Sequence, residues 1–113
     1  MKNILIAGDF NSNSIWDEWD RYWNHSDVVR ELSEIGIKSL YHELNKIEHG
    51  KEVIPTFFMH KKKEKPYHID YFFSSEEIQN NLISFKIENF EDWIKISDHV
   101  PIVIEINDNF KII

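Results

Sequence analysis

The feature that most constrains the fold is a short apolar run at the start of the chain. The run from Ile4 to Ala7 is followed at once by Gly8, Asp9 and Asn11. A continuous apolar run of this length, bounded by turn-forming residues, predicts a strand that is buried on both faces. Asp9 and Asn11 then fall where the chain leaves the strand for a loop, which is where a rigid scaffold often presents polar chemistry. The alternative is an ordinary turn, in which both side chains hydrogen-bond nearby backbone.

Composition limits the classes of protein that the chain can belong to. Its 113 residues are 42% hydrophobic and 14% aromatic, which is enough for one folded domain covering residues 1–113. The net charge of −7 argues against a general phosphate-neutralising surface, but not against an enzyme that grips one phosphate through a metal ion. The absence of cysteine excludes disulfides and thiolate zinc sites. With no leader and no long apolar run, we expect a cytoplasmic protein without membrane contact.

An aromatic-rich loop follows the first predicted strand. Trp16, Trp19 and Trp23 are spaced i, i+3 and i+7, which would place the three rings on one face of a short helical stretch. The rings could pack against the core of the domain itself. They could also stack on the bases or sugars of a nucleic acid. The spacing alone leaves both interpretations open.

The middle of the chain predicts alternating helices and strands. Ser26 is a suitable N-cap for an amphipathic helix over about residues 27–35, and Gly36 provides its end. Two β-rich runs, residues 56–60 and 67–73, enclose a basic tip and predict a hairpin. The tip, which includes Lys62, is either a solvated turn or a contact to a phosphate backbone. Further signals predict a short helix capped by Ser74 or Ser75, and strands over residues 83–87 and 101–106.

Three polar groupings share one feature, since each lies at or near the boundary of a predicted strand: Asp9 with Asn11, His68 with Asp70, and Asp98 with His99. Asp70 stands out, because a carboxylate inside an otherwise apolar strand needs a partner. The Asp98–His99 pair alone is more typical of a loop hydrogen bond than of catalysis. Together, however, an Asp-held histidine has a fixed tautomer suited to proton transfer, and further carboxylates with an amide can hold a hard divalent cation.

These groupings resemble the motifs of the endonuclease/exonuclease/phosphatase superfamily, the deoxyribonuclease I-like metal-dependent phosphoesterases. The matching stretches are Gly8–Ser12, His68–Tyr71 and Ser97–Ile102, in the order found in the family. The resemblance implies in-line attack of water on a phosphoester, with Mg²⁺ or Mn²⁺ as Lewis acid. It also implies residue roles: Asp9 orients or deprotonates the water, Asn11 hydrogen-bonds the phosphate, His99 acts at the scissile phosphate, Asp70 orients His99, and Asp98 contacts the metal ion. Substrate contacts are expected from His68, Trp16 and Lys62.

The resemblance further implies the fold. We expect an α/β structure that is half of a four-layer α/β/β/α sandwich, with one mostly antiparallel sheet and helices on its outer face. The three motifs belong to the C-terminal half of the family's domain. Its N-terminal half supplies a metal-binding glutamate, and no glutamate of this chain matches that context. We therefore expect activity of this chain to depend on a missing half, and the metal ion to bind weakly.

Half a sandwich would present an apolar inner face to water. That face would be formed either by the row Ile102, Ile104 and Ile106 or by the row Ile69, Tyr71 and Phe73. Large exposed apolar patches tend to be covered by association, so we expect a homodimer or a partner at this face. The substrate stays open between nucleic acid, inositol phosphate and a lipid headgroup, with the tryptophans and the basic tip favouring nucleic acid.

Overall fold

The computed structural model describes residues 3–107, which form short helices and antiparallel strands. No helix in this part of the chain is long and apolar enough to cross a membrane. The elements in chain order are β1 Leu5–Asp9, α1 His25–Glu34, β2 Lys38–Ser39, α2 Leu40–Asn45, β3 Phe57–Phe58, β4 Pro66–Tyr67, β5 Asp70–Ser74, α3 Glu76–Asn80, β6 Leu82–Ile87, α4 Phe90–Trp93 and β7 Ile102–Ile106.

The strands form three antiparallel ladders. Strand β5 lies between β1 and β2, β3 pairs with β4, and β6 pairs with β7. The predicted antiparallel pairing is confirmed for every ladder between the described strands. The expectation of one sheet is corrected to three smaller ones. The predicted hairpin exists but is shorter, because Met59–Lys61 forms a 3-10 turn in which His60 and Lys61 have positive φ.

The two faces of β5 differ sharply. Tyr71 and Phe73 point to the face covered by α1, where they pack with Ile37 in the buried core and contact Val29 and Leu32 of the helix. Successive side chains alternate across a strand, so Asp70 and Phe72 point to the opposite face. The row Ile69, Tyr71 and Phe73 is therefore buried and is not an exposed face. The row Ile102, Ile104 and Ile106 is half-buried.

Strand β1 is exposed along its whole length, so the expectation of a strand buried on both faces is wrong. It pairs with β5 alone, which leaves it at the edge of the three-stranded sheet. Leu5, for example, is 43% exposed. The apolar run does form the predicted strand. Its burial depends on neighbours that the described chain does not place over it.

The aromatic loop is not helical beyond a 3-10 turn, Ser14–Trp16. Trp19 is 97% exposed, so the prediction of three rings on one helical face is wrong, as is packing of this ring into the core. Polar contacts shape the loop instead. The Arg21 guanidinium donates to the Trp16 carbonyl at 2.7 Å, and the Asn24 amide donates to the Glu18 carbonyl at 2.7 Å.

Helix α1 begins two residues earlier than predicted, because its N-cap is Asn24 and not Ser26. The Asp27 carboxylate accepts from the Asn24 N–H at 2.9 Å, which completes a capping box. The Ser26 hydroxyl bonds to Asp17 and Ser14. At the other end Gly36, with φ +81°, ends the helix as predicted. Ser75 caps α3, also as predicted.

A group of buried histidines lies on the α1 side of β5. We call His25, His42, His49 and His68 the histidine cluster. His25 Nδ1 is 2.9 Å from the Ser12 hydroxyl, and its Nε2 is 3.0 Å from His49 Nδ1. The rings of His42 and His49 stack with centroids 3.6 Å apart, and His42 Nε2 donates to the Glu52 carboxylate. The cluster thus joins three segments of the chain beneath the sheet.

Burial sets the charges in this region. It disfavours the charged imidazolium and lowers the pKa of His49 to about 3, and the neighbouring His42 and His25 act in the same direction. Burial also lowers the pKa of His25 and of His68. Burial opposes ionisation of Glu52, but hydrogen bonds from His42, Asn13 and the Gly50 N–H outweigh it and lower its pKa to about 2.

We expect stability to fall in mild acid. In the unfolded chain His49 takes up a proton near pH 6.5, but in the folded chain it does so only near pH 3. The Glu52 carboxylate is protonated near pH 4.5 in the unfolded chain and only near pH 2 in the folded chain. The unfolded state therefore binds more protons in this window, and the free energy of unfolding decreases as the pH is lowered from 6.5 towards 3. Urea denaturation between about pH 7.5 and about pH 5 measures this slope. It should be shallower in His49→Asn, and a wild-type midpoint that does not change would contradict the account.

Candidate functional site

Three side chains from distant parts of the sequence meet at one edge of the fold. Asp9 ends β1, Asp70 begins β5, and His99 precedes β7. Asp9 and Asp70 are directly opposite in the antiparallel register, so their side chains share a face of the sheet. One nitrogen or oxygen atom from each of the three residues lies within 4.8 Å of the other two.

The strongest contact in the group joins His99 to Asp70. His99 Nδ1 is 2.9 Å and 3.1 Å from the two Asp70 carboxylate oxygens. An ionised carboxylate only accepts, so Nδ1 carries the proton and donates it. In the neutral ring, Nε2 then holds the lone pair. Nε2 is 3.6 Å from Asp9 Oδ2, too far for a hydrogen bond, which leaves it open to a third group.

The carboxylate of Asp9 is held by the turn that follows it. Its Oδ1 accepts the Asn11 backbone N–H at 2.8 Å. Asn11 has φ +48°, a left-handed conformation that asparagine tolerates better than most residues. The ordinary-turn alternative is therefore realised for the Asp9 side chain. It coexists with the candidate site, because the same hydrogen bond fixes one oxygen of Asp9 and leaves Oδ2 on the His99 side.

A segment around β3 holds Asp70 and His99 together. Thr56 is fully buried, and its hydroxyl accepts the backbone N–H groups of Ile69 at 3.0 Å and Asp70 at 3.2 Å. Its carbonyl accepts the Val100 N–H at 2.9 Å. One residue thus bridges the strand that carries Asp70 and the segment that carries His99. Sequence reasoning missed Thr56, since its partners are far along the chain and no local pattern marks it.

Phe57 and Phe58 extend this bridge. Phe57 forms an antiparallel bridge with His99, and their rings lie with centroids 4.8 Å apart. The Phe58 N–H donates to the Asp98 carbonyl at 2.8 Å. The imidazole is therefore fixed by a carboxylate at one nitrogen and by an aromatic ring at its face.

Exposure changes steadily across the group. The Asp70 side chain is 16% exposed, His99 31% and Asp9 50%. The carboxylate that bonds to His99 is thus mostly shielded from solvent, whereas Asp9 is half-exposed. A cleft of about 290 Å³ adjoins the group, and it is lined by Ala7, Asp9, Asp70, Phe72, Val100 and Ile102.

The remaining predicted site residues are placed differently. Asp98 contributes its backbone carbonyl to β3, and its carboxylate is not part of the group formed by Asp9, Asp70 and His99. His68 is buried on the other side, with its Nδ1 donating to the Ile54 carbonyl at 2.9 Å. The structure therefore does not bring His68 to the site, and its assignment as a substrate contact loses its geometric basis.

Trp16 and Lys62 both lie outside the group, but Trp16 is connected to it through other aromatic rings. The Trp16 ring is 5.2 Å from the Tyr67 ring, which lies 6.5 Å from Phe57, the ring that contacts His99. Trp16 thus ends a row of aromatic rings that starts at the site. Lys62 is exposed in the hairpin turn between β3 and β4. Substrate binding by either residue stays a prediction.

The donor set fits a hard divalent cation. Mg²⁺ and Mn²⁺ prefer carboxylate oxygen, and two carboxylates converge here with one imidazole nitrogen. Asp70 is engaged by His99 through both oxygens, so Asp9, half-exposed and with Oδ2 unengaged by its turn, is the better ligand.

Two comparisons with known proteins found no match. No family model matches the chain, and no curated protein matches it. The resemblance to metal-dependent phosphoesterases therefore depends on the three motifs and on the geometry that brings Asp9, Asp70 and His99 together.

We expect Thr56→Val to loosen the site more than Thr56→Ser. Valine keeps the shape but removes the acceptor, which leaves two buried N–H groups unpaired and should lower the free energy of unfolding by about 1–3 kcal/mol. Serine keeps the hydroxyl and loses one methyl group, worth about 0.8 kcal/mol. Urea denaturation of both variants tests this, and a serine variant at least as unstable as the valine variant would contradict the proposed bridge.

Proposed function

We propose that this chain acts in metal-dependent hydrolysis of phosphodiesters, with Asp9, Asn11, Asp70 and His99 at the reacting centre. The observation that carries the proposal is the convergence of Asp9, Asp70 and His99 within 4.8 Å from three separated segments. Each of them also belongs to a motif that resembles the phosphoesterase family. Geometry and motif are independent lines of support, since the motifs do not dictate where the side chains lie.

The mechanism follows from the hydrogen bonds of the site. Asp70 keeps the proton on His99 Nδ1, so the lone pair of Nε2 is directed to the solvent side, where it can take the proton of an attacking water. Asp9 Oδ2 lies 3.6 Å from Nε2, so its carboxylate lies beside this water and can orient it. The water oxygen forms a bond to phosphorus as the bond to the leaving oxygen breaks, the leaving oxygen takes a proton from solvent, and Asn11 donates to a phosphate oxygen that gains charge.

The metal ion would be held by Asp9. The resemblance implies Asp98 as a further ligand, but its carboxylate lies outside the group formed by Asp9, Asp70 and His99. When bound, Mg²⁺ or Mn²⁺ supplies Lewis-acid stabilisation of the charge that develops on the phosphate. A longer assembly that contributes a glutamate ligand would complete this set. The described residues alone would bind the ion weakly, because His99 already engages Asp70 and only the Asp9 carboxylate of the group is left to bind it.

The sandwich architecture is part of the same proposal. Helix α1 covers one face of the β1–β5–β2 sheet, and the β6/β7 sheet contacts the other through Phe85 and Phe72, whose centroids are 6.0 Å apart. That arrangement of a helix and two facing sheets supports half of an α/β/β/α sandwich. Asp9 and Asp70 lie on the face turned towards the β6/β7 sheet.

A nuclease-like substrate is the class that the surroundings favour. The row of rings from Phe57 through Tyr67 to Trp16 leads away from His99 and offers stacking surfaces to successive bases. The basic tip at Lys62 lies on the same hairpin as Phe57 and Tyr67. The net charge of −7 disfavours a general duplex-binding surface, so single-stranded substrate fits better.

Hydrolysis of bis(p-nitrophenyl) phosphate with Mg²⁺ or Mn²⁺ tests the proposal. We expect His99→Asn to lower the rate by about 100-fold or more, since it removes the proton-transfer group. His60→Asn is the matched control, because His60 is exposed and has φ +57°, which asparagine accommodates. It should leave the rate unchanged. Equal rates for wild type and His99→Asn, or a rate that survives EDTA, would refute the proposal.

A second candidate is an incomplete half-domain that self-associates or binds a partner. It is favoured by the exposed apolar surface of β1, which is an edge strand and on which Leu5 is 43% exposed. Edge strands with exposed apolar side chains readily pair with another chain. In this case Asp9, Asp70 and His99 would keep their arrangement, but the chain would not hydrolyse phosphodiesters.

Sedimentation equilibrium at micromolar concentration tests the association. We expect a dimer in the wild type and a monomer in Leu5→Lys, because a lysine on an edge strand opposes pairing. Val53→Lys is the control, since Val53 is 78% exposed but lies in the loop before β3. A wild-type monomer would exclude self-association through this face.

A further inference from the structure

The histidine cluster has no part in the proposed hydrolysis. It lies on the α1 side of β5, where Tyr71 packs against His25, His42 and His49 with centroids 5.0–6.0 Å away. The candidate site occupies the opposite face of the same strand. The proposed hydrolysis gives no role to these imidazoles or to the Glu52 carboxylate that bonds to His42.

We propose that His42, His49 and Glu52 bind one Zn²⁺ ion. One donor atom from each residue lies within 4.8 Å of the other two. A tetrahedral zinc ion with ligands at about 2.0–2.1 Å holds its donor atoms about 3.3 Å apart, so small side-chain movements would bring this group into range. Two imidazoles and a carboxylate are a common zinc ligand set, whereas Mg²⁺ prefers oxygen alone.

An unpartnered nitrogen on His68, whose ring packs against His42, supports the proposal independently. His68 is 4% exposed, its Nδ1 donates to the Ile54 carbonyl, and its Nε2 is buried with no hydrogen-bond partner among the described residues. Its ring packs edge-on against His42 at 5.7 Å. A buried lone pair without a donor is costly, and a metal ion would satisfy it. His68 is therefore our candidate for the fourth ligand.

Hydrogen bonds from neighbouring residues already hold the side chains of His42 and Glu52 in place. His42 Nδ1 is 2.6 Å from the buried Ser39 hydroxyl, which leaves Nε2 on the Glu52 side. Glu52 Oε1 accepts from the Asn13 amide at 3.1 Å and from the Gly50 N–H at 3.2 Å. Such outer hydrogen bonds orient ligands in metal sites and raise their affinity.

Binding requires the side chains to move, and the ring of His49 most of all. The rings of His42 and His49 lie parallel with centroids 3.6 Å apart, and a nitrogen lone pair lies in the plane of its ring, so the two cannot share an ion as they stand. His49 belongs to the loop between α2 and β3 and is half-buried, so its ring can turn. A pocket lined by residues that include Ser39, Ile47, His42 and His49 provides access from solvent.

Titration of the metal-free protein with Co²⁺ tests the site, since tetrahedral Co²⁺ gives intense visible absorption that Zn²⁺ abolishes by displacement. We expect one tetrahedral Co²⁺ ion per chain, a higher thermal midpoint with Zn²⁺, and an affinity for the tetrahedral ion at least about tenfold lower in His49→Gln and in Glu52→Gln. Circular dichroism of the metal-free variants shows whether they fold. His60→Asn and Asp9→Asn should bind Co²⁺ as the wild type does.

The controls separate this site from the candidate hydrolytic site. Loss of the Co²⁺ absorption in Asp9→Asn, with wild-type affinity in His49→Gln and Glu52→Gln, would assign the ion to the opposite face and overturn the proposal. So would the absence of a saturable tetrahedral spectrum in the wild type. Neither result depends on whether the protein hydrolyses phosphodiesters, because binding is measured without substrate.

Discussion

The alternation of side chains along β5 is the constraint on which the rest of the structure depends. Tyr71 and Phe73 point to the α1 side and form the core, while Asp70 and Phe72 point to the other side. A shift of one residue in the pairing with β1 would exchange these faces, burying a carboxylate in the core and exposing two large rings. Burial of the aromatic residues therefore also determines where Asp70 lies.

The candidate site is a product of tertiary hydrogen bonds and not of local structure. Asp70 and His99 are 29 positions apart, and the two-residue strand β3 lies between their segments. Thr56 bonds to both, through its hydroxyl on one side and its carbonyl on the other. Two hydrogen bonds on the Asp70 side and one on the His99 side join the segments, so the imidazole is held in one orientation. Preorganisation of this kind is what a proton-transfer site requires.

Local patterns in the sequence predicted much of this arrangement. The apolar run before Asp9, the hairpin around the basic tip and the polar residues at strand boundaries all correspond to elements of the structure, and Asp9, Asp70 and His99 do meet. What failed depended on long-range neighbours. Strand β1 is exposed and lies at the edge of its sheet, a position that no local pattern encodes. Asn24 is the N-cap in place of Ser26, because Asp17 and Ser14 engage the serine. The histidine cluster was not predicted because its members are dispersed along the chain, and no local pattern relates His25 in α1, His42 in α2, His49 in a loop and His68 before β5.

The tautomer of His99 tests the central claim most directly. Long-range ¹H–¹⁵N correlation spectra of the neutral imidazole, assigned by comparison with the His99→Asn spectrum, report which ring nitrogen carries the proton. The hydrogen bonds of Nδ1 to Asp70, at 2.9 Å and 3.1 Å, require the proton on Nδ1. A spectrum with the proton on Nε2, which is the tautomer that a free histidine side chain favours, would mean that Asp70 does not hold the ring. The account of the site would then be wrong.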